Sequence, residues 1–288
     1  MPGFIQITDT HIVAPGALAY GRSDTAEALH RAVATINAKL PVLDGIDCVI
    51  VTGDLTDHGT PEEYAHFAAI MAELELPWQA VPGNHDRRDA MRAAFAPAPW
   101  MPEDGPIHWV RDFGPFSVIG LDTLLEGAHH GELSLEGVGF LDAALAAIGA
   151  QPVVIASHHP WMHSGIPAMD ADNLHGGGAL MSRLEAHPAP ARMISGHVHR
   201  AVTGQIGRVT CQISPATCHA VLTDHRVGHD PQLTIEPGGI TVFRWSTAPQ
   251  PGLLSDIIPT GSFSGPWPFA DRPAEWEPRP LQNRDQQI

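Results

Sequence analysis

Five short polar motifs, each directly after an apolar run, carry the side chains of this sequence that could do chemistry. They combine aspartate, asparagine and histidine, whose oxygens and imidazole nitrogens bind divalent transition metals. In chain order the motifs are Asp9-Thr-His11, Gly53-Asp54, Gly83-Asn-His-Asp86, His158-His-Pro160 and Gly196-His-Val-His199. Because none contains cysteine, the ligand chemistry favours Mn, Zn, Fe or Co over a soft-metal or iron-sulfur site.

The spacing inside two of the motifs suits metal binding. Asp9 and His11 are two residues apart, as are His197 and His199. An extended chain places residues two apart on the same face, so each pair can hold one cation. A glycine directly precedes the ligand in three motifs, where we expect a sharp turn and close approach of metal or phosphate; these are Gly53, Gly83 and Gly196.

Runs of strand length precede the motifs and alternate with helical patterns, which is typical of a layered α/β protein. The predicted strands are 4–8, 48–52, 78–81, 109–113, 116–121, 153–157 and 192–195. Helices are predicted from capping residues, namely from Ser23 or Asp24 through about Lys39, from Thr60 with Pro61 and Glu63, and from Ser134 through Ile148. Because the ends of parallel strands gather at one edge of an open sheet, the motifs are expected to converge.

The chain after His199 predicts more β structure and then an irregular tail. Alternating patterns over 202–213 and 240–245 favour the second half of a two-sheet sandwich. From about Pro249 the sequence is rich in Pro, Gly and polar residues, so we divide the chain into a domain, 1–248, and a tail, 249–288. The tail aromatics predict packing on the domain or on a neighbouring subunit, and hence a homo-oligomer; they are Trp267, Phe269 and Trp276.

The charge balance limits the class of partner. The chain of 288 residues has 32 acidic and 16 basic side chains, a formal charge of -16, which argues against nucleic acid polymers and against a DNA nuclease. Two bound cations would reverse the local sign, so a small anionic substrate is compatible. No apolar stretch approaches about 18 residues, which predicts no membrane insertion. Three dispersed cysteines and a start without a signal-peptide pattern predict a cytoplasmic protein.

The five motifs in this order resemble the calcineurin-like metallophosphoesterase superfamily. The short segment before Asp9, and His129-His-Gly-Glu-Leu-Ser134 after Asp122, are similar to class III cyclic nucleotide phosphodiesterases and their glycerophosphodiesterase relatives. The resemblance covers roughly residues 3–245. It implies a four-layer α/β/β/α sandwich, two mixed sheets flanked by helices, with two metals at the strand ends.

The resemblance also implies a division of the ligands between two divalent or mixed-valence ions. It assigns one metal to Asp9, His11 and His199. It assigns the other to Asn84, His158 and His197, with Asp54 bridging both. His158 is chosen over His159 because the family's ligand occupies the first position of His-x-Pro.

Such a centre predicts hydrolysis by a metal-bound hydroxide. Water between two cations has a pKa near neutrality, and the cations neutralise charge that develops on the phosphoryl oxygens. His85 is predicted to stabilise or protonate the leaving oxygen, with Asp86 orienting it. Asn84, His85 and His159 are the candidates for substrate contact.

The sequence therefore predicts a metal-dependent phosphoric diester hydrolase. The resemblance places 3',5'-cyclic nucleotides slightly ahead of glycerophosphodiesters or a phospholipid head group as substrate. A phosphomonoesterase is an enzymatic alternative, because the same centre handles both charge states. A binding scaffold that has lost catalysis is a further alternative, although all seven ligand positions and His85 carry the expected residue types.

Overall fold

The computed structural model describes residues 1–267. Its helices are α1 Thr25–Lys39, α2 Pro61–Met71, α3 Arg88–Phe95, α4 Leu135–Ile148, α5 Pro167–Asp170 and α6 Gly178–Ala186. Its strands are β1 Gly3–Ile7, β2 Ile46–Thr52, β3 Trp78–Val81, β4 Trp109–Asp112, β5 Ser117–Leu121, β6 Gly131–Glu132, β7 Val153–Ser157, β8 Leu174–His175, β9 Ala191–Ser195, β10 Val202–Ile206, β11 Val209–Ile213, β12 Ala220–Val221, β13 Leu233–Thr234, β14 Gly239–Ser246 and β15 Gly252–Pro259.

Two mixed sheets form the centre of the molecule. The first has the order β15-β14-β1-β2-β3, in which β1, β2 and β3 are parallel and β14 is antiparallel to β1 and β15. The second has the order β10-β11-β9-β7-β5-β4, with four parallel strands inside and an antiparallel strand at each edge. The carboxyl ends of the inner strands in each sheet therefore lie at one edge.

Three apolar clusters stack these elements into four layers. One lies between the first sheet and helices α1 to α3 and includes Leu29 and Phe67. A second lies between the second sheet and helices α4 and α6 and includes Leu141 and Leu184. The third fills the space between the sheets and includes Phe4, Phe116 and Phe243. The order helix, sheet, sheet, helix confirms the predicted sandwich.

Side-chain caps start the three long helices where the sequence predicts them. Asp24, not Ser23, caps α1 by accepting a hydrogen bond from a backbone amide. Thr60 and Glu63 form a reciprocal capping box at the start of α2. Ser134 caps α4. Among residues 1–267, no helix has both the length and the apolar character needed to span a membrane.

All seven predicted strands are present, with ends within two residues of the predicted bounds. The prediction of an irregular tail from Pro249 is wrong for Gly252–Pro259, which forms strand β15 and pairs with β14 over its whole length. Flanking Pro and Gly residues hid this strand, because the hairpin partner rather than local composition stabilises it. Trp267 is 73% exposed. Phe269 and Trp276 lie outside the described residues.

Candidate metal centre

The five polar motifs meet at the carboxyl ends of β1, β2 and β3 in one sheet and of β7 and β9 in the other. On one side, His11 Nε2 lies 3.0 Å from His199 Nε2. On the other, the Asn84 side-chain oxygen lies 3.1 Å from His158 Nε2 and 3.0 Å from His197 Nδ1. Strand ends from both sheets therefore bring two separate groups of ligand atoms together.

Two carboxylates connect these groups. Asp54 Oδ2 lies 3.5 Å from His11 Nε2 and 3.3 Å from His158 Nε2, so this one oxygen faces both groups. Asp9 Oδ1 lies 3.4 Å from His199 Nε2. Asp9 also accepts hydrogen bonds from the backbone amide of His197, which holds its carboxylate in place.

The donor set fits divalent cations. Ligand atoms about 2.1 Å from an ion and at right angles to each other lie about 3 Å apart, which is the spacing observed here. The Nδ1 atoms of His11 and His199 face the Asp57 carboxylate and a backbone carbonyl, respectively, and act as donors there. Their Nε2 lone pairs then face each other at 3.0 Å. Two lone pairs repel at this distance unless a cation lies between them, so the arrangement suits a metal.

The burial of the Asp9 and Asp54 carboxylates also favours bound cations. Asp9 is fully buried, and burial raises its pKa to about 6, further supported by the charge of Asp54. Burial alone would also raise the pKa of Asp54, but the facing His158 and His85 hold it well below its ordinary value. A buried carboxylate pair is stable in the ionised form only with compensating cations.

The backbone is strained at most of the predicted ligands. Five of the six non-glycine residues with positive φ in the described chain are predicted ligands, with φ between 43° and 71°: Asp9, His11, Asp54, His197 and His199. Each such residue costs on the order of 1 kcal/mol. Strain of this kind persists where packing and hydrogen bonds over-determine the geometry, as they do at these strand ends.

The glycines before the ligands act differently from one another. Gly53 has φ +92°, and a Cβ there would collide with the His158 ring, so it gives both the sharp turn and the space. At Gly83 and Gly196 a Cβ would collide with the Asp54 and Asp9 carboxylates. The space beside Gly83 and Gly196, which the sequence predicted for metal or phosphate, is therefore occupied by side chains of the predicted ligands.

His85 lies beside the centre, but Asp86 does not orient it. His85 Nδ1 donates to the Asp57 carbonyl at 2.8 Å, which leaves the other ring nitrogen for the cavity, and the side chain is 23% exposed. Asp86 is fully buried and accepts hydrogen bonds from the Gly83 amide and the Tyr64 hydroxyl. The Asp57 carbonyl, rather than the predicted Asp86, therefore contacts the His85 ring, and Asp86 hydrogen-bonds to the turn that carries Asn84 and His85.

His159 does not offer a nitrogen to a substrate. It is fully buried, with Nδ1 2.8 Å from the Thr123 hydroxyl and Nε2 3.1 Å from the His129 carbonyl. Burial, and then the charge of His158, hold its pKa well below the ordinary value, so the ring is neutral. Both ring nitrogens of His159, a predicted substrate contact, are thus engaged inside the protein, whereas His158 Nε2 faces the Asn84 oxygen and Asp54.

A cavity of about 530 Å³ opens onto the centre. His11, Asp54 and Asn84 form its floor, and His85 and His129 line it beside them. Apolar residues from α5 and from the hairpin of β12 and β13 form a further wall, which includes Met169, Val221 and Leu233 together with the polar Asp172 and Gln232. A small ligand can therefore present an anionic group to the floor and an apolar group to this wall.

Three residues at the site were not found from the motifs. Asp57 holds His11, and its position three residues after Asp54 was a usable signal, because metal-binding histidines commonly donate to a carboxylate. His219 lies 4.8 Å from His199 between ring centroids, and its carbonyl accepts from His199 Nδ1. Tyr20 also lines the cavity. Neither His219 nor Tyr20 belongs to a motif, and only folding brings them here.

Known proteins resemble this chain over most of its length. A family model described as "Calcineurin-like phosphoesterase" matches residues 3–201. The "Probable glycerophosphodiester phosphodiesterase GpdQ" of Arcobacter nitrofigilis is 32% identical over 272 residues, which cover 94% of this chain and 98% of that protein. A "Probable cyclic nucleotide phosphodiesterase" of Rhodopseudomonas palustris is 36% identical, covering 77% of this chain and 80% of that protein. The "3',5'-cyclic adenosine monophosphate phosphodiesterase CpdA" of Escherichia coli is 28% identical, with coverage of 74% and 75%.

Solved structures share the fold. A dimetal phosphatase from Danio rerio superposes with a TM-score of 0.57 at 16% identity, covering 90% of this chain and 99% of that one. The purple acid phosphatase PPD1 from yellow lupin gives a TM-score of 0.61 at 15% identity, with coverage of 89% and 51%. The family model spans well over half of the sequence and includes all five motifs. The chain therefore belongs to the calcineurin-like phosphoesterase family.

Proposed function

We propose that the protein hydrolyses small phosphodiesters at a centre of two divalent cations. The observation that carries this proposal is the position of Asp54 Oδ2, within 3.5 Å of a ligand nitrogen in each of the two groups. Asp9, His11 and His199 would hold one ion, and Asn84, His158 and His197 the other, with Asp54 shared. Mn, Fe, Zn and Co all suit these oxygen and nitrogen donors.

The chain contributes positioning and charge around the phosphate. Cations bound there supply Lewis acidity and lower the pKa of water. Asn84 brings a neutral amide oxygen, which leaves more net positive charge on its side of the centre than a carboxylate would. The apolar residues that line the cavity lower the local dielectric constant and so strengthen electrostatic interactions there.

His85 is proposed as the proton donor to the leaving oxygen. Its Nδ1 is fixed by the Asp57 carbonyl, so the second nitrogen can face the ester oxygen of a bound substrate. A His85→Ala enzyme should lose about 100-fold or more in kcat on alkyl diesters, since general acid catalysis contributes about that much. The loss should be small on 4-nitrophenyl esters, whose leaving group needs no proton. Equal losses on both substrates would exclude the acid role.

A 3',5'-cyclic nucleotide is the first candidate substrate. The apolar residues Met169, Val221 and Leu233 line the same cavity as the floor and suit the base of a nucleotide whose phosphate lies on the floor. The cyclic nucleotide phosphodiesterases among the relatives support the same choice. In this pose the base is recognised mainly by apolar contact.

A glycerophosphodiester is the second candidate. It is supported by the relative from Arcobacter nitrofigilis, which matches 94% of this chain, compared with 77% for the cyclic nucleotide relative from Rhodopseudomonas palustris.

One competition experiment separates these substrates. Mn-reconstituted protein is incubated with 3',5'-cyclic AMP and glycerophosphoethanolamine in one tube, and both phosphorus signals are followed by NMR, with Asn84→Ala as the control. Loss of the cyclic signal first supports the nucleotide, and loss of the other first supports the glycerophosphodiester. Loss of neither, together with failure to retain metal, would favour a non-catalytic scaffold.

A monoester and a diester with the same leaving group test the remaining enzymatic alternative. We expect 4-nitrophenyl phenyl phosphate to be turned over with the higher kcat/KM. A higher value for 4-nitrophenyl phosphate would instead identify a phosphomonoesterase.

The protein is also proposed to be a homo-oligomer. Phe263 and Trp267 are 63% and 73% exposed, and apolar side chains of this size are commonly covered in an assembly. Light scattering should give a mass of at least twice 30.8 kDa, and a monomeric mass would contradict the proposal.

A further inference from the structure

A second, smaller cavity also borders His85. It has a volume of about 240 Å³ and shares Asn84, His85 and His129 with the larger cavity. The two cavities therefore meet at Asn84 and His85, beside the position that we propose for the reacting phosphate. A substrate bound on the metal centre can extend an arm into the smaller cavity.

Arg87 brings to this cavity a positive charge that is not held in an ion pair within the described chain. Its guanidinium donates to the carbonyls of Asp86 and Asn84, at 2.8 and 3.4 Å, and within residues 1–267 it forms no ion pair with a carboxylate. The adjacent Arg88, in contrast, pairs with Asp122 through two hydrogen bonds. In a chain with 32 acidic and 16 basic residues, an arginine in a cavity without an acidic partner is available for an external anion.

The carboxylates near this cavity are engaged with other groups. Asp57 Oδ1 lies 2.9 Å from His11 Nδ1, and Asp57 Oδ2 lies 3.5 Å from His58 Nε2. Glu63 is buried, and its Oε1 lies 2.7 Å from His58 Nδ1. Neither carboxylate forms an ion pair with Arg87.

We propose that Arg87 forms a subsite for a second oxyanion, a carboxylate or phosphate group carried on one arm of the diester. The proposal rests on the proposed phosphodiesterase function, because the subsite is adjacent to the reacting phosphate. A guanidinium binds such groups through two parallel hydrogen bonds, so the subsite selects planar or tetrahedral oxyanions over neutral arms. The preferred substrates then carry one negative charge more than a simple diester.

Two chromogenic diesters test the subsite. 4-Nitrophenyl phenyl phosphate and 4-nitrophenyl 3-carboxyphenyl phosphate share one leaving group and differ by a carboxylate on the arm that is retained. The wild-type protein should show kcat/KM about tenfold higher for the carboxylate, the effect of one charge-assisted hydrogen bond. In Arg87→Met this ratio should fall to about one or below. In Arg87→Lys part of the ratio should remain, because lysine keeps the positive charge but lacks the paired N–H donors of the guanidinium.

The ratio of the two substrates separates recognition from general damage, because a disturbed metal centre lowers both rates together. Arg31→Met on the exposed face of α1 removes the same charge far from the cavity and should leave the ratio at its wild-type value. A wild-type ratio near one would overturn the subsite while the phosphodiesterase function stands. Equal loss on both diesters in Arg87→Met would also overturn it. Hydrolysis of neither diester would overturn the proposed function and the subsite with it.

Discussion

The space between the two sheets is apolar at one end and hydrogen-bonded at the other. Along β1, Phe4 and Gln6 are two residues apart and both face the second sheet. Phe4 stacks on Phe243 with ring centroids 4.8 Å apart and packs in the apolar cluster between the sheets. Gln6 is equally buried but lies nearer the predicted ligands, and its side chain is hydrogen-bonded.

Gln6 connects both sheets just below the centre. Its amide nitrogen donates to the Thr52 hydroxyl at 2.8 Å and to the Ser195 carbonyl at 3.0 Å. Its oxygen accepts from the Ser214 hydroxyl at 2.6 Å. Thr52 and Ser195 each precede a predicted ligand by two residues. This end of the interface therefore fixes how the strand ends of the two sheets face each other.

The difference between the two ends reflects the forces that act there. Apolar burial stabilises without requiring one geometry, whereas a buried amide is satisfied only when its partners lie at the right distance and angle. The apolar end is therefore expected to govern stability, and the polar end the position of the ligands. Four substitutions test this division, from the largest effect to the smallest.

Phe243→Ala should lower the free energy of unfolding by about 3 to 5 kcal/mol, because it leaves a large cavity in the apolar end. Denaturation in guanidinium of the metal-free protein measures this change. The metal affinity of the folded protein should stay near the wild-type value. A parallel loss of metal affinity would show that the two ends are not separable.

Asp54→Asn should reduce kcat/KM by more than about 100-fold. Removing a group that only hydrogen-bonds to a metal ligand already lowers metal affinity or activity by about 10- to 100-fold, and Asp54 is itself a proposed ligand. The substitution keeps the shape but removes the charge that faces both ligand groups. The rate of hydrolysis of 4-nitrophenyl phenyl phosphate measures the change in activity. Mass spectrometry counts the metal ions bound per chain. Wild-type turnover with two metals bound would contradict the bridging role.

Gln6→Leu should weaken Mn²⁺ binding by about 10- to 100-fold, the range for loss of groups that orient ligands. It should lower the free energy of unfolding by only about 1 to 3 kcal/mol, the cost of orphaned buried polar groups. Titration of metal-free protein, followed by electron paramagnetic resonance, gives the affinity. If Gln6→Leu unfolds the protein more than Phe243→Ala does and leaves Mn²⁺ affinity intact, the comparison is reversed.

Ser134→Ala should have the smallest effect, about 1 kcal/mol, because it removes one helix cap from the outer layer. The cap lies outside the space between the sheets, so neither Mn²⁺ affinity nor kcat should change. A thermal melt with a parallel activity assay checks both. If Ser134→Ala changed the Mn²⁺ affinity, a loss of stability in the outer layer would be enough to alter the metal centre. The weaker Mn²⁺ binding of Gln6→Leu would then not show that Gln6 positions the ligands.

The sequence by itself determined the elements and the ligand types. Apolar periodicity and capping side chains are local, so the strand before each motif and the helices capped by Asp24, Thr60 and Ser134 were predictable. The order of the five motifs also predicted convergence at strand ends, and His11 and His199 do lie 3.0 Å apart.

Only the tertiary structure decided which side chains face the cavity and what supports them. His159 is adjacent to His158 yet points to Thr123 and His129, and Asp86 is adjacent to His85 yet leaves its orientation to Asp57. Strand β15 depends on its partner β14 in the same way. The physical reason is that local pattern fixes where a residue lies along the chain, whereas the direction of its side chain and its partners depend on contacts between segments distant in sequence.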